Sequence, residues 1–125
     1  MRKRKIRVLV VDDDEDTLRV YDKTLSDAGY AVLMARNGKE SVEKARKEKP
    51  DVIIMDIMMP EADGINSIRK LKGNESTRSI PVIVATSVEE TDDRILAENL
   101  GVDGYIVKSV NMGTLIDKIK KVTEK

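Results

Sequence analysis

The 125-residue chain contains no cysteine, histidine, phenylalanine or tryptophan. Without cysteine it can form no disulfide, thiol nucleophile or cysteine-based zinc site, and without histidine it can perform no imidazole catalysis of its own. The core must therefore be built from Val, Ile, Leu, Met and Ala. Lys and Arg together number 23, as do Asp and Glu, so the formal net charge is zero. Because a neutral chain argues against general binding to nucleic acid, we expect no direct DNA binding.

Long apolar runs are missing as well. No segment reaches the length of a membrane span, and the basic residues 1–5 lead into a run that ends in acids and is too short for a secretory signal. The chain length suits one domain. We therefore predict a single cytoplasmic domain over residues 1–125 that does not contact membranes, with residues 1–5 as a basic N-terminal leader.

Two hydrophobic patterns alternate along the chain. Short apolar runs, typical of strands buried on both faces, predict five strands at residues 6–11, 30–35, 51–55, 81–85 and 104–107. Apolar residues spaced three or four apart predict five amphipathic helices at residues 14–28, after Asn37, and at 64–72, 89–100 and 111–123. In the helix at 89–100, we expect Ile95, Leu96 and Leu100 to face inward.

This alternation predicts the fold class. A strand followed by a helix, five times over, is typical of an α/β protein with a parallel sheet. We predict a doubly wound (βα)5 fold of the flavodoxin-like type, in which the five-stranded parallel sheet has the order 2-1-3-4-5 and helices cover both faces.

Functional side chains follow four of the predicted strands. Asp12 and Asp13 come after the first strand, Asp56 after the third, Thr86 after the fourth and Lys108 after the fifth. Because the carboxyl ends of parallel strands share one edge of a sheet, these side chains should surround one pocket. Carboxylate oxygens in a partly solvated cleft suit Mg²⁺, and a hydroxyl with an ammonium group can bind phosphoryl oxygens. The sequence thus predicts a site for a divalent cation and a phosphoryl group.

Acids at strand ends have a simpler interpretation as turn formers or helix caps. That interpretation stays open for Asp14 and Asp16. It is a poor account of Asp12, Asp13 and Asp56 taken together, because those three would meet at neighbouring central strands.

Five segments resemble the motifs of the response-regulator receiver domain, the CheY-like phosphorylatable module of two-component signalling. They are residues 10–14 (VVDDD), 51–60 (DVIIMDIMMP), 63–64 (DG), 81–87 (PVIVATS) and 103–108 (DGYIVK). The resemblance covers essentially the whole chain. It implies that Asp56 is the phosphoacceptor and that Mg²⁺ is held by Asp12, Asp13, Asp56 and the backbone carbonyl of Met58.

The resemblance also assigns roles around the phosphoryl group. It implies that Thr86 and Lys108 bind the acyl phosphate and that the rotamer of Tyr105 follows Thr86 as the site is occupied. Ser109 stands where the family usually has proline, which leaves the Lys108–Ser109 bond open between cis and trans. Met58 and Val88 would flank the approach of the hydrolytic water and so modulate the rate of dephosphorylation.

The implied function is a signalling switch. A partner histidine kinase or phosphotransfer protein supplies the phosphoryl group, and the face formed by the fourth helix, fifth strand and fifth helix then regulates a downstream protein. Such a domain catalyses only its own phosphorylation and dephosphorylation and is not otherwise an enzyme. A dimer that forms on phosphorylation is left open, as is whether the domain acts alone or within a longer protein.

Two alternative functions remain. A Mg²⁺-dependent phosphatase with an aspartyl-phosphate intermediate would usually carry a second acid two residues after the nucleophile, where Met58 stands. A receiver-like domain that works without phosphorylation is disfavoured by the complete set of acids, hydroxyl and lysine.

Overall fold

The computed structural model describes residues 4–57, 63–86, 95, 98–107 and 112–124 of the chain. The strands are β1 (Arg7–Val11), β2 (Ala31–Ala35), β3 (Val52–Asp56), β4 (Val82–Thr86) and β5 (Gly104–Val107). The helices are α1 (Glu15–Asp27), α2 (Gly38–Glu48), α3 (Asp63–Gly73) and α4 (Met112–Thr123). Residues 95, 98 and 99 are also helical, within the span predicted for a helix at 89–100.

The strands form one parallel sheet in the order β2-β1-β3-β4-β5. This order confirms the predicted doubly wound α/β fold. The strand order reverses between β1 and β3, which are neighbours at the centre, with Val11 opposite Met55. Everything that follows the carboxyl ends of these two strands is therefore brought to the middle of one sheet edge.

Each face of the sheet has its own hydrophobic core. Alternate residues of each strand point to opposite faces of the sheet. Because helices cover both faces, the central strands β3 and β4 are buried along their whole length. One core packs the sheet against α2 and α3, through side chains such as Ala45, Ile68 and Leu71. The other packs it against α1 and α4, through side chains such as Leu18 and Ile119. As the composition requires, both cores are almost entirely aliphatic.

The prediction that Ile95 faces inward is wrong, because 58% of this residue is exposed. Leu100 does pack against the core on the α2 and α3 side, as predicted, and Leu96 lies outside the described residues. In the predicted helix at 89–100, positions five residues apart would point about 140° away from each other, so that prediction could not place both Ile95 and Leu100 towards the sheet. No helix among the described residues is long and apolar enough to cross a membrane.

The amino end of β3 is tied to the start of the chain by Asp51. The Asp51 carboxylate accepts a 2.8 Å hydrogen bond from the amide of Arg7 and two hydrogen bonds, of 2.8 and 3.2 Å, from the guanidinium of Arg4. Arg4, in the predicted leader, is thus held against the domain. Burial raises the pKa of Asp51, but the bonds from Arg7 and Arg4 outweigh burial, so its pKa lies below the ordinary value.

A lowered pKa in the folded state makes Asp51 a source of pH-dependent stability. Its contribution is present above the unfolded pKa, near 3.8, and is lost as the pH falls through the lower folded pKa. We expect Asp51→Asn to cost about 1 kcal/mol at neutral pH, because the carboxylate is partly exposed. Urea denaturation across the acid range should show the difference from wild type shrinking. Asp27→Asn, which removes an exposed pair with Lys23, should change little at any pH; a loss for Asp51→Asn that is independent of pH would contradict this account.

Candidate functional site

Three carboxylates meet at the carboxyl ends of β1 and β3. Asp12 and Asp13 follow β1, Asp56 is the last residue of β3, and one carboxylate oxygen from each lies within 4.8 Å of the others. Asp12 and Asp56 are only 1% and 3% exposed, whereas Asp13 is exposed. The structure thus brings the three aspartates together as the strand order requires. Their roles stay predictions.

The turn after β1 is shaped by its own side chains. The amide of Asp12 donates to the carbonyl of Ala35, which extends the pairing of β1 with β2 by one residue. The carboxylate of Asp12 then accepts a 2.9 Å hydrogen bond from the amide of Asp14. Asp14 caps α1, accepting from the amide of Asp16 and, at 2.7 Å, from the hydroxyl of Thr17. Asp14 is therefore a helix cap, as the simpler interpretation has it, while its neighbours Asp12 and Asp13 belong to the carboxylate cluster.

The donor set fits Mg²⁺. Oxygens that coordinate one Mg²⁺ at about 2.1 Å lie about 3 Å apart when adjacent and about 4.2 Å apart when opposite. A separation of at most 4.8 Å can therefore close around the ion by small side-chain rotations. Two buried carboxylates and a third beside them also repel one another, and a divalent cation relieves that repulsion. Asp12, Asp13 and Asp56 are the residues that would hold it.

Thr86 lies beside this cluster at the end of β4. Ala85 is opposite Asp56 in the sheet, so Thr86 stands one position beyond the acid, and it is fully buried. Tyr105 is opposite Val84 in β5, which makes it a diagonal neighbour of Thr86 on the same face of the sheet. Its ring is partly buried and packs against the core on that face.

Several predicted site residues lie outside the described part of the chain. They are Met58, Val88, Lys108 and Ser109. The structure says only that Lys108 directly follows β5, whose carboxyl end lies on the same edge as the acids.

The first turn of α3 lies directly on the backbone of the phosphoacceptor candidate. A Cβ atom added to Gly64 would be 2.4 Å from the carbonyl oxygen of Asp56 and 2.6 Å from the Cα of Ile57. Glycine is therefore required for steric reasons at this position. The sequence showed the Asp-Gly motif but not this close approach, because nothing in a single sequence reports a contact between two backbones.

Sequence analysis also missed a positively charged side chain, that of Arg36, close to the turn after β1. Arg36, directly after β2, donates through Nε and Nη2 to the two carboxylate oxygens of Glu15, the first residue of α1. Its Nη1 lies 3.7 Å from Oε1 of Glu40. The bond from Arg36 lowers the pKa of Glu15 and, reciprocally, raises the pKa of Arg36. The pair spans 21 positions in the sequence, so no local charge pattern could reveal it.

Comparison with known proteins gives a consistent result. Residues 8–120 match the family model of the response regulator receiver domain. The chain is 37% identical over 116 residues to protein PilH of Pseudomonas aeruginosa, covering 93% of this chain and 96% of PilH. It is 33% identical to the transcriptional regulatory protein PhoP of Bacillus subtilis, of which it spans only 48%.

Solved structures agree with the fold. The chemotaxis protein CheY4 of Vibrio cholerae superposes with a TM-score of 0.88 at 30% identity, covering 95% of this chain and 99% of that one. The receiver domain of the sensor histidine kinase PA1611 of Pseudomonas aeruginosa superposes with a TM-score of 0.89 at 24% identity, covering 98% of this chain and all of that one. That receiver domain was solved with a magnesium ion coordinated in its active site cleft. At 24% identity, the similarity to the PA1611 receiver domain shows the fold alone.

The contact at Gly64 yields a stability prediction with an internal control. We expect Gly64→Ala to destabilise the protein by about 2 kcal/mol, because the added methyl group meets backbone atoms that cannot rotate away. Gly73→Ala, at the other end of α3, meets nothing within 4 Å and should be neutral or slightly stabilising. Urea denaturation of both variants measures the difference. Equal stability of the two would show that α3 does not pack on Asp56 as described.

Proposed function

The chain belongs to the response regulator receiver domain family, and from that premise we propose that it is a phosphorylation-dependent signalling switch whose phosphoacceptor is Asp56. Receiver domains interact with histidine kinases or phosphotransfer proteins, and we propose that one of these donates the phosphoryl group here. The observation that carries the proposal is the cluster of Asp12, Asp13 and Asp56 at the ends of the two central strands.

The proposed chemistry is an in-line transfer. A carboxylate oxygen of Asp56 attacks the phosphorus of the donor, the donor's P–N bond breaks, and the electron pair stays on the imidazole nitrogen of the partner. Asp56 suits this role because it ends a fully buried strand and is itself almost fully buried, which fixes its direction of attack. When bound, Mg²⁺ would neutralise the charge of the carboxylates and of the transferring phosphoryl oxygens.

The remaining members of the site complete the proposal. Asp12 and Asp13, with the backbone carbonyl of Met58, would hold the cation beside Asp56. Thr86 would donate its hydroxyl to one phosphoryl oxygen, and Lys108 would contribute a positive charge to another. The position of Thr86 one residue beyond the level of Asp56 supports its part in this arrangement.

Phosphorylation can be tested by intact mass. Incubated with Mg²⁺ and acetyl phosphate, the wild-type protein should gain about 80 Da, which hydroxylamine removes because the product is an acyl phosphate. Asp56→Asn should remain folded and gain nothing, since an amide is not a nucleophile. Asp51→Asn is the matched control: the same change at the opposite end of β3 should leave the gain intact. Mg²⁺-dependent labelling of Asp56→Asn would refute the assignment.

The persistence of the signal is part of the proposal. Neither Met58 nor Val88 can orient a hydrolytic water, whereas Asn or Glu at these positions could, a difference of about a hundredfold at the low end of general acid–base effects. We therefore expect slow loss of the added mass, and faster loss in the Met58→Asn/Val88→Glu variant. An unaltered decay rate in that variant would remove this part of the proposal.

The output of the switch would pass from Thr86 to Tyr105. Movement of Thr86 towards the phosphoryl group would vacate space for Tyr105. The surface around β5 and α4, which is the fifth of the predicted helices, would then change as one conformation replaces another. Chemical shifts should therefore change on phosphorylation in residues 104–107 and in α4 as well as around Asp56. Changes confined to the surroundings of Asp56 would contradict this route. The downstream partner would be a protein that contacts this surface.

A further inference from the structure

The two guanidinium bonds from Arg36 to Glu15 connect the turns that follow β1 and β2. The second of these bonds measures 3.4 Å. Two parallel bonds between a planar guanidinium and a carboxylate fix both distance and orientation, which a single lysine bond would not. The first residue of α1 is thus tied to the residue that follows the neighbouring strand.

Arg36 is itself held from the side of α2. Glu40, in the first turn of α2, approaches Arg36 at 3.7 Å and Lys44 at the same distance. Lys44 in turn donates to the backbone carbonyl of Met34 in β2. Together, Lys44, Glu40, Arg36 and Glu15 form a row of alternating charges that connects β2 and α2 to the start of α1. This row can hold the start of α1 in place relative to the sheet.

Asp13, the exposed aspartate of the cluster, lies in the short segment between the end of β1 and Glu15. Asp12 is fixed by the sheet, and Asp14 is fixed by the carboxylate of Asp12. Within the described part of the chain, no hydrogen bond or ion pair holds the carboxylate of Asp13. Its position therefore depends on the backbone on either side, and Glu15 is the next fixed point after the cap.

We propose that Arg36 is a positioning residue for the cation site, acting through Glu15 to keep the carboxylate of Asp13 within reach of Asp12 and Asp56. The inference rests on the proposed function, because it presumes that the three carboxylates share a cation. Arg36 does not touch the cation or the phosphoryl group. Its side chain and that of Glu15 are 45% and 50% exposed, so the pair should add little to the stability of the fold. Its effect should instead appear in cation affinity.

Charge and position must be separated in the test. Removing Arg36 alone takes a positive charge away from the site, which favours Mg²⁺ and masks a loss of positioning. The double variant Glu15→Gln/Arg36→Gln keeps the local net charge and removes the bidentate contact, together with the weaker approach of Arg36 to Glu40. If Arg36 acts through position, this double variant should bind Mg²⁺ about tenfold more weakly than wild type, the low end of what outer contacts contribute to metal sites. If charge alone matters, its affinity should equal that of wild type.

Two further variants sharpen the comparison. Arg36→Lys keeps the charge but cannot form the bidentate contact, so it too should bind Mg²⁺ several-fold more weakly, on the order of the double variant. The matched control is Asp16→Asn/Arg19→Gln, which removes an exposed, charge-balanced pair within α1 at 3.2 Å that spans no second element. This control should bind Mg²⁺ as wild type does. Asp13→Ala should lose most of the affinity and calibrates the assay.

Isothermal titration with Mg²⁺ at constant ionic strength gives the affinities, and urea denaturation without Mg²⁺ confirms that each variant folds. A weakened Glu15→Gln/Arg36→Gln variant beside an unchanged Asp16→Asn/Arg19→Gln control supports the proposal. Wild-type affinity in the Glu15→Gln/Arg36→Gln variant overturns it and leaves the proposed function standing. A wild-type protein that fails to bind millimolar Mg²⁺ overturns the proposed function as well, so the two failures can be told apart.

Discussion

The repulsion among three carboxylates at the ends of β1 and β3 is the constraint on which the rest of the site depends. The parallel pairing of these central strands leaves no room to separate Asp12 from Asp56, and burial of both removes the water that would otherwise screen them. A fold that holds three carboxylates this close together attracts positive charge to the ends of β1 and β3. The proposed binding of a cation, and then of a phosphoryl group that the cation would help to neutralise, would follow from the same electrostatics.

Contacts outside the hydrophobic core also surround this cluster. Gly64 lets α3 approach the backbone of Asp56, Asp14 ends the turn after β1 by capping α1, and Arg36 ties the start of α1 to the end of β2. Each of these contacts involves a residue close to one of the three acids, either in the sequence or in space. The sheet supplies the approximate positions, and these contacts refine them.

The alternation of strands and helices could be predicted because the sequence displays its periodicities directly. The strand order, and with it the acidic cluster, was predicted from an order that is common among doubly wound sheets. Apolar runs mark the strands, and the acids come immediately after them. The exposure of Ile95 could have been predicted from helix geometry, since it and Leu100 point in different directions. The steric role of Gly64 and the pair between Arg36 and Glu15 could not, because each depends on contacts between elements far apart in the chain. The roles of Met58, Val88 and Tyr105 rest on family resemblance, whereas that of Lys108 also follows from its place at the sheet edge; all of them stay predictions.

The measurement that tests this account most directly is a crystal structure of the protein with Mn²⁺ in place of Mg²⁺ and beryllofluoride as a mimic of the phosphoryl group. The anomalous signal of Mn²⁺ should form a single peak among Asp12, Asp13 and Asp56, at coordination distance, about 2.2 Å, from oxygens of at least two of them. Beryllofluoride should be bonded to Asp56 next to that peak. A metal peak elsewhere, or beryllofluoride on another residue, would contradict the claim that this carboxylate cluster is the phosphorylation site.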